Sequence, residues 1–129
     1  MTLQQRIEKA RELHPQGYNC AQCVALAFTD MTGLDEMTTA RISSGLGAGV
    51  GGTGEICGAL TGATIVEGCM KYSAPTDKAA INKSVREISR EFADGNDGMV
   101  RCRDLKTKGR KPCMDLIEEA ITILHNRMK

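Results

Sequence analysis

Residues 55–72 read EICGALTGATIVEGCMKY, and the fold turns on how this stretch is read. It holds no Pro, and small residues crowd its first half at Gly58, Ala59, Gly62 and Ala63. On a helix, Gly58 and Gly62 lie four apart on one face and form a flat groove that another backbone can approach closely. The stretch therefore predicts a helix from near Glu55 to about Tyr72, whose groove takes a neighbouring helix, a cofactor or both at close range. The run before it, GLGAGVGGTGE (residues 45–55), is mostly glycine and reads as a flexible loop that delivers Cys57 to the first turn of this helix.

Working outward towards the N-terminus, Thr2 is placed to cap a helix with Gln5 as its capping-box partner. Leu3, Ile7, Ala10 and Leu13 follow at helical spacing, and Pro15 with Gly17 ends the run. Asn19 can cap a second helix from Cys20 to about Thr32, which Gly33 ends. A third is expected from Asp35 to about Ser44. Beyond the central stretch, Pro75 and Thr76 open a helix with Ala80 or Ile81, Val85, Ile88 and Phe92 on its apolar stripe, closed by GNDG at 95–98. A basic segment, RCRDLKTKGRK (101–111), leads as a loop to Pro112 at the first turn of a last helix. Its expected buried face is Cys113, Leu116, Ile117, Ala120, Ile123 and Leu124. No stretch alternates with period two, and none repeats. The expectation is an all-α fold: one domain over residues 1–129, a small bundle of about five to six helices with a Gly-rich loop before the central one.

Composition narrows the function. A chain of 129 residues can bury a real core, and with aromatics at 3% that core must be Ala, Ile, Leu, Val and Met. A net charge of +1 supplies no field towards nucleic acid or anionic lipid, and the basic segment has no interleaved aromatics. No apolar run reaches the ~18 residues of a membrane span, and the charged N-terminus lacks the pattern of a secretory signal. These features point to a cytoplasmic protein with no nucleic-acid or membrane partner. Thiols stay reduced in that compartment, so the six cysteines suggest metal or redox use rather than a disulfide framework. The small-residue, Met-rich helices (Met31, Met37, Met70, Met99, Met114) suggest a homodimer.

Cys20 and Cys23 form a CxxC at a first helical turn, where the helix dipole favours the thiolate, the form that attacks disulfides and binds metals. Cys57 falls in another first turn. Cys102 and Cys113 flank Arg101, Arg103, Lys106, Lys108, Arg110 and Lys111, cations that lower thiol pKa or offset a charged cluster. The glycines also match G-x-G-x-x-G, but no strand precedes them, which weighs against a dinucleotide site. His14 and His125 carry no ligand spacing to a cysteine and read as surface residues. Converging thiols can bind an iron–sulfur cluster or zinc, exchange disulfides without metal, or simply pack.

In order, Cys20 in NCAQCV, Cys57 in CGALTG, then Cys102 and Cys113 resemble the C-GCAxxG-C-C family of redox-active proteins, and the likeness covers nearly the whole chain. The family's label writes Gly-Cys-Ala-x-x-Gly where this chain reads Cys57-Gly58-Ala59-Leu60-Thr61-Gly62. The resemblance implies redox activity. It is also similar to the C-terminal part of split-Soret cytochromes, which implies an iron–sulfur cluster. The metal ligands implied are Cys20, Cys57, Cys102 and Cys113, with Cys23 as a substitute and Gly58 and Gly62 beside the cofactor. The resulting expectation is electron transfer through such a cluster with an unidentified redox partner. The alternatives are a metal-free thiol–disulfide protein and a zinc-stabilised helical binding module. The residues do not decide whether the protein is an enzyme.

Overall fold

The computed structural model describes residues 1–128. Within them run α1 (Leu3–Leu13), α2 (Cys20–Leu26), α3 (Thr29–Thr32), α4 (Glu36–Ser43), α5 (Gly58–Lys71), α6 (Lys78–Asp94), α7 (Cys102–Thr107) and α8 (Cys113–Arg127), with 3-10 turns at His14–Gln16 and Pro75–Asp77. The all-α expectation holds. Among the described residues the only β pairing is one antiparallel bridge, Ile56 with Arg101. The helix count exceeds the expected five to six for two reasons. The helix expected from Cys20 to Thr32 breaks in two, and the basic segment read as a loop coils into α7. None of these helices is long and apolar enough to cross a membrane.

The break after α2 comes from a distant side chain. Arg6 is buried, and its Nη1 donates to the Ala27 carbonyl at 2.7 Å. Its guanidinium also lies 4.3 Å from the centre of the Phe28 ring. An oxygen bound to arginine is no longer offered to the next helical turn, and Phe28 leaves the helical region at φ −122°, ψ 18°. Asp30 balances the Arg6 charge at 2.6 Å.

The central helix α5 buries Gly58, Ala59, Leu60, Gly62, Ala63, Val66 and Glu67. Its widest contact is with α2. The glycine groove is the reason. A Cβ on Gly62 would stand 2.7 Å from the Ala21 carbonyl oxygen, and one on Gly58 3.2 Å from the Ala21 nitrogen. α8 closes the bundle against α1, α2, α5 and α6, burying Leu116, Ile117, Ala120, Ile121 and Leu124. Cys113 and Ile123, expected on that face, are half-buried.

Between α4 and α5 the glycine run is ordered rather than slack. Ala48, Gly49, Val50, Gly51 and Gly52 are five successive residues with φ between 50° and 77°. They form a left-handed turn tied by Gly51 N–H to the Gly45 carbonyl at 2.8 Å and Glu55 N–H to that of Gly49 at 2.9 Å. Left-handed backbone costs an L-residue about 1–2 kcal/mol, which explains glycine at three of the five places. The chain leaves this turn directly into the Ile56–Arg101 bridge. There Cys57 N–H donates to the Val100 carbonyl at 2.8 Å, and Cys102 N–H to that of Glu55 at 2.7 Å.

Candidate functional site

Each of the four cysteines Cys20, Cys57, Cys102 and Cys113 stands at the start of a helix. Cys20 opens α2 behind Asn19, whose side chain accepts from Gln22 N–H at 2.8 Å while the Gln22 side chain accepts from Asn19 N–H at 2.9 Å. The Asn19 amide also donates to the Ser44 carbonyl at 3.0 Å, tying the start of α2 to the end of α4. Cys57 occupies the N-cap position of α5. Cys102 is the first residue of α7 and Cys113 the first of α8, after Pro112. Cys57 and Cys102 each follow a residue of the bridge, so two cysteines far apart in sequence are fixed diagonally across it.

All four line one cavity of about 200 Å³, with His14, Lys106 and Gly58 also in its wall. Cys20 and Cys57 are buried, and Cys102 and Cys113 are half-buried. Gly58 meets the cavity because α5 begins there. Gly62, one turn on, faces Ala21 and Val24 instead. Cys23 is fully buried behind the site, with its sulfur 3.7 Å from the Tyr18 carbonyl, and is not part of the cavity wall. Cys69 is exposed on α5.

The sulfurs are electrostatically unequal. The Cys20 thiol hydrogen-bonds Cys113, which holds the Cys113 thiol well below its ordinary value, at about 5. The Lys106 ammonium, donating to Cys113 Sγ at 2.6 Å, lowers it further. The same hydrogen bond, together with burial, drives Cys20 strongly upward. Burial raises Cys57, against two backbone N–H groups from Ala59 and Leu60 that favour its thiolate. Burial lifts Cys23 to about 11. At neutral pH the Cys113 thiolate is thus paired with a lysine, beside the raised Cys20 and Cys57 thiols that a metal would have to deprotonate.

His14 changes the sequence picture. Spacing alone marks it as an ordinary surface histidine, yet it is half-buried, and its ring nitrogen and the Cys20 and Cys113 sulfurs all lie within 4.8 Å of one another, a group that could hold a metal ion. His14 ends α1 and opens the turn that leads to Cys20, so Pro15 and Gly17, read only as breakers, also aim this ring. Lys106 was one cation among six. Folding of the basic segment into α7 sets it over the cavity, while Arg101 and Arg103 turn away to Glu55, at 3.7 and 2.8 Å, and Lys111 to Glu119 at 2.8 Å.

Searches among curated proteins and among solved structures found no match. The family model described as "Putative redox-active protein (C_GCAxxG_C_C)" matches residues 18–127. That span takes in all four cysteines of the cavity, and the chain belongs to the C_GCAxxG_C_C redox-active family.

Proposed function

We propose that this protein is an electron carrier whose cavity holds an iron–sulfur cluster on Cys20, Cys57, Cys102 and Cys113. The observation that carries the reading is the convergence of these four thiols, from four separate helix starts, on one cavity. The donor set fits the group. Four cysteine thiolates are the usual ligands of such clusters, and their negative charge is offset here by Lys106 and by the positive ends of the helices. A bound cluster would supply one-electron transfer. The chain's own part is to deprotonate and orient the sulfurs, wall them with Leu116 and Ala48, and leave Cys102 and Cys113 close enough to solvent for a partner's electron to arrive. The reading includes an unidentified redox partner, a homodimeric state and a cytoplasmic location.

A second reading draws on the Cys20–Cys113 pair. A thiolate stabilised by lysine beside a protonated thiol suits disulfide exchange: Cys113 attacks a disulfide and expels one thiolate, Cys20 gives up its proton and resolves the mixed disulfide to expel the other, and the pair loses two electrons and one proton to the substrate, whose second thiol takes its proton from water. Anaerobic reconstitution with ferrous iron and sulfide separates the readings. The cluster reading expects brown protein with equal iron and sulfide, lost on Cys57→Ser. Colourless protein holding one zinc supports the structural-metal alternative. Colourless, metal-free protein that loses two free thiols on mild oxidation supports exchange. Either colourless result overturns the cluster.

A further inference from the structure

We propose that His14 is a direct ligand of the metal centre, taking a position there in place of one of the four cysteines, so that the site is mixed imidazole–thiolate. The inference rests on the metal-centre reading above and assigns a donor that the four-cysteine pattern does not contain. His14 precedes residue 18, where the family match begins.

The geometry carries it. The His14 ring nitrogen, Cys20 Sγ and Cys113 Sγ lie within 4.8 Å of one another. Donors on one tetrahedral ion, at metal–sulfur and metal–nitrogen bonds of about 2.3 and 2.0 Å, stand about 3.5–3.8 Å apart. Cys57 and Cys102 line the same cavity but are not in this tight group.

The ring is also held and chemically available. Its backbone caps α1 by donating to the Ala10 carbonyl, and its own carbonyl accepts from Gly17 N–H at 3.2 Å. Gly17 reaches this turn through φ 101°, a conformation that glycine adopts at no steric cost. The imidazole itself makes no hydrogen bond to another described residue, although it lies against two sulfurs in a half-buried wall. A neutral imidazole there is a free lone-pair donor, the form in which histidine binds metals. The chain's other histidine is engaged elsewhere, with His125 Nδ1 accepting from Arg6 Nε at 3.2 Å.

The consequence is a surplus of donors. His14 and four cysteines offer five groups for the four positions of a tetrahedral ion or the four outer positions of a cluster. A neutral donor in place of a thiolate removes one negative charge from the centre, and exchanging cysteine for histidine in this way raises the reduction potential of iron–sulfur centres.

Cobalt(II), added anaerobically to the full-length reduced protein, is the probe. The expected result is thiolate-to-cobalt charge-transfer absorption together with a strongly shifted, solvent-exchangeable imidazole N–H signal in the proton NMR spectrum. The signal should persist in His125→Ala and vanish in His14→Ala, which should also bind cobalt at least the ~10–100-fold more weakly that loss of even an outer-shell partner costs. With only two histidines in the chain, the His125→Ala spectrum alone assigns the signal even if His14→Ala fails to fold. Charge-transfer bands without any shifted imidazole signal, or with one that His125→Ala removes, overturn the His14 assignment and leave the thiolate metal site standing. No cobalt binding at all overturns the metal site and this inference with it.

Discussion

Replacing Gly62 tests whether the glycine groove governs the bundle. A Cβ at this position would lie 2.7 Å from the Ala21 oxygen and 3.0 Å from its Cα, both backbone atoms that move only if α2 moves. Overfilling a packed core costs about 1–3 kcal/mol, while Gly to Ala inside a helix returns about 1 kcal/mol of propensity. Gly62→Ala should therefore be destabilising by ~0–2 kcal/mol. Gly62→Val forgoes part of the propensity gain and drives two further methyls towards Val24, whose Cβ is already 3.2 Å from the hypothetical Cβ. Its expected cost is ~2–3 kcal/mol, near the top of the overpacking range. For a chain of this length that corresponds to a melting temperature lower by roughly 8–12 °C. Gly68, on the same helix, is the internal control, because a Cβ there meets nothing within 4 Å. Gly68→Ala should be stabilising by ~0.5–1 kcal/mol. Urea unfolding followed by circular dichroism gives all three values. If Gly62→Ala stabilises the protein as much as Gly68→Ala does, α2 yields freely and the close-packing argument fails.

In metal-free protein, Cys113 should be alkylated well ahead of the other cysteines at pH ~6.5, its rate falling only as pH drops towards about 5. Lys106→Met should move that midpoint upward; uniform labelling of all six sites by mass spectrometry would contradict the Lys106–Cys113 pairing. The Asp30 carboxyl is held below its ordinary value, first by its hydrogen bond to Arg6, so it stabilises the fold above the unfolded carboxylate value of ~3.9 and ceases to as pH falls through its lower folded value. Asp30→Asn should thus be less stable than wild type at pH ~7, by a margin that shrinks in acid; a deficit independent of pH would show that the charge is not the cause. Sedimentation equilibrium in reducing buffer should give twice the 13.9 kDa chain mass, Met31, Met37, Ile42 and Tyr72 being exposed apolar side chains available to a second copy. A single species at monomer mass across the micromolar range would refute the dimer.

The parts of this molecule that were legible in the sequence are those decided locally. Thr2 and Gln5 form the capping box that their spacing suggests, Asn19 caps the helix that follows it, and Gly33 ends α3 in the left-handed region. The groove on α5 was legible as a place of close approach because two glycines stand four apart, but not that at Gly62 it is α2 that fills it. Features decided by residues far away in sequence were hidden. Nothing near Ala27 announces that Arg6 will claim its carbonyl. The basic segment looked like a loop because its lysines and arginines mask one buried anchor, Leu105. Spacing passes over His14, since the sulfurs it lies beside include that of Cys113, at the other end of the chain. A spacing argument sees only donors on one local element, and this cavity gathers donors from four helices and a turn.

The wall of the cavity has a thermodynamic consequence. Its sulfurs come from residues 20, 57, 102 and 113, so an unfolded chain contains no approximation to the site. Whatever occupies it binds the folded state almost alone, and occupancy and folding are then a single linked equilibrium. At a free ligand concentration a hundredfold above its dissociation constant, that linkage adds about 2.7 kcal/mol to the unfolding free energy. The increment is a sizeable share of the ~5–15 kcal/mol that keeps a domain folded. Were the cavity loaded, the lifetime of the protein would report its loading state: empty chains would visit the unfolded ensemble more often than filled ones and present themselves to proteases first.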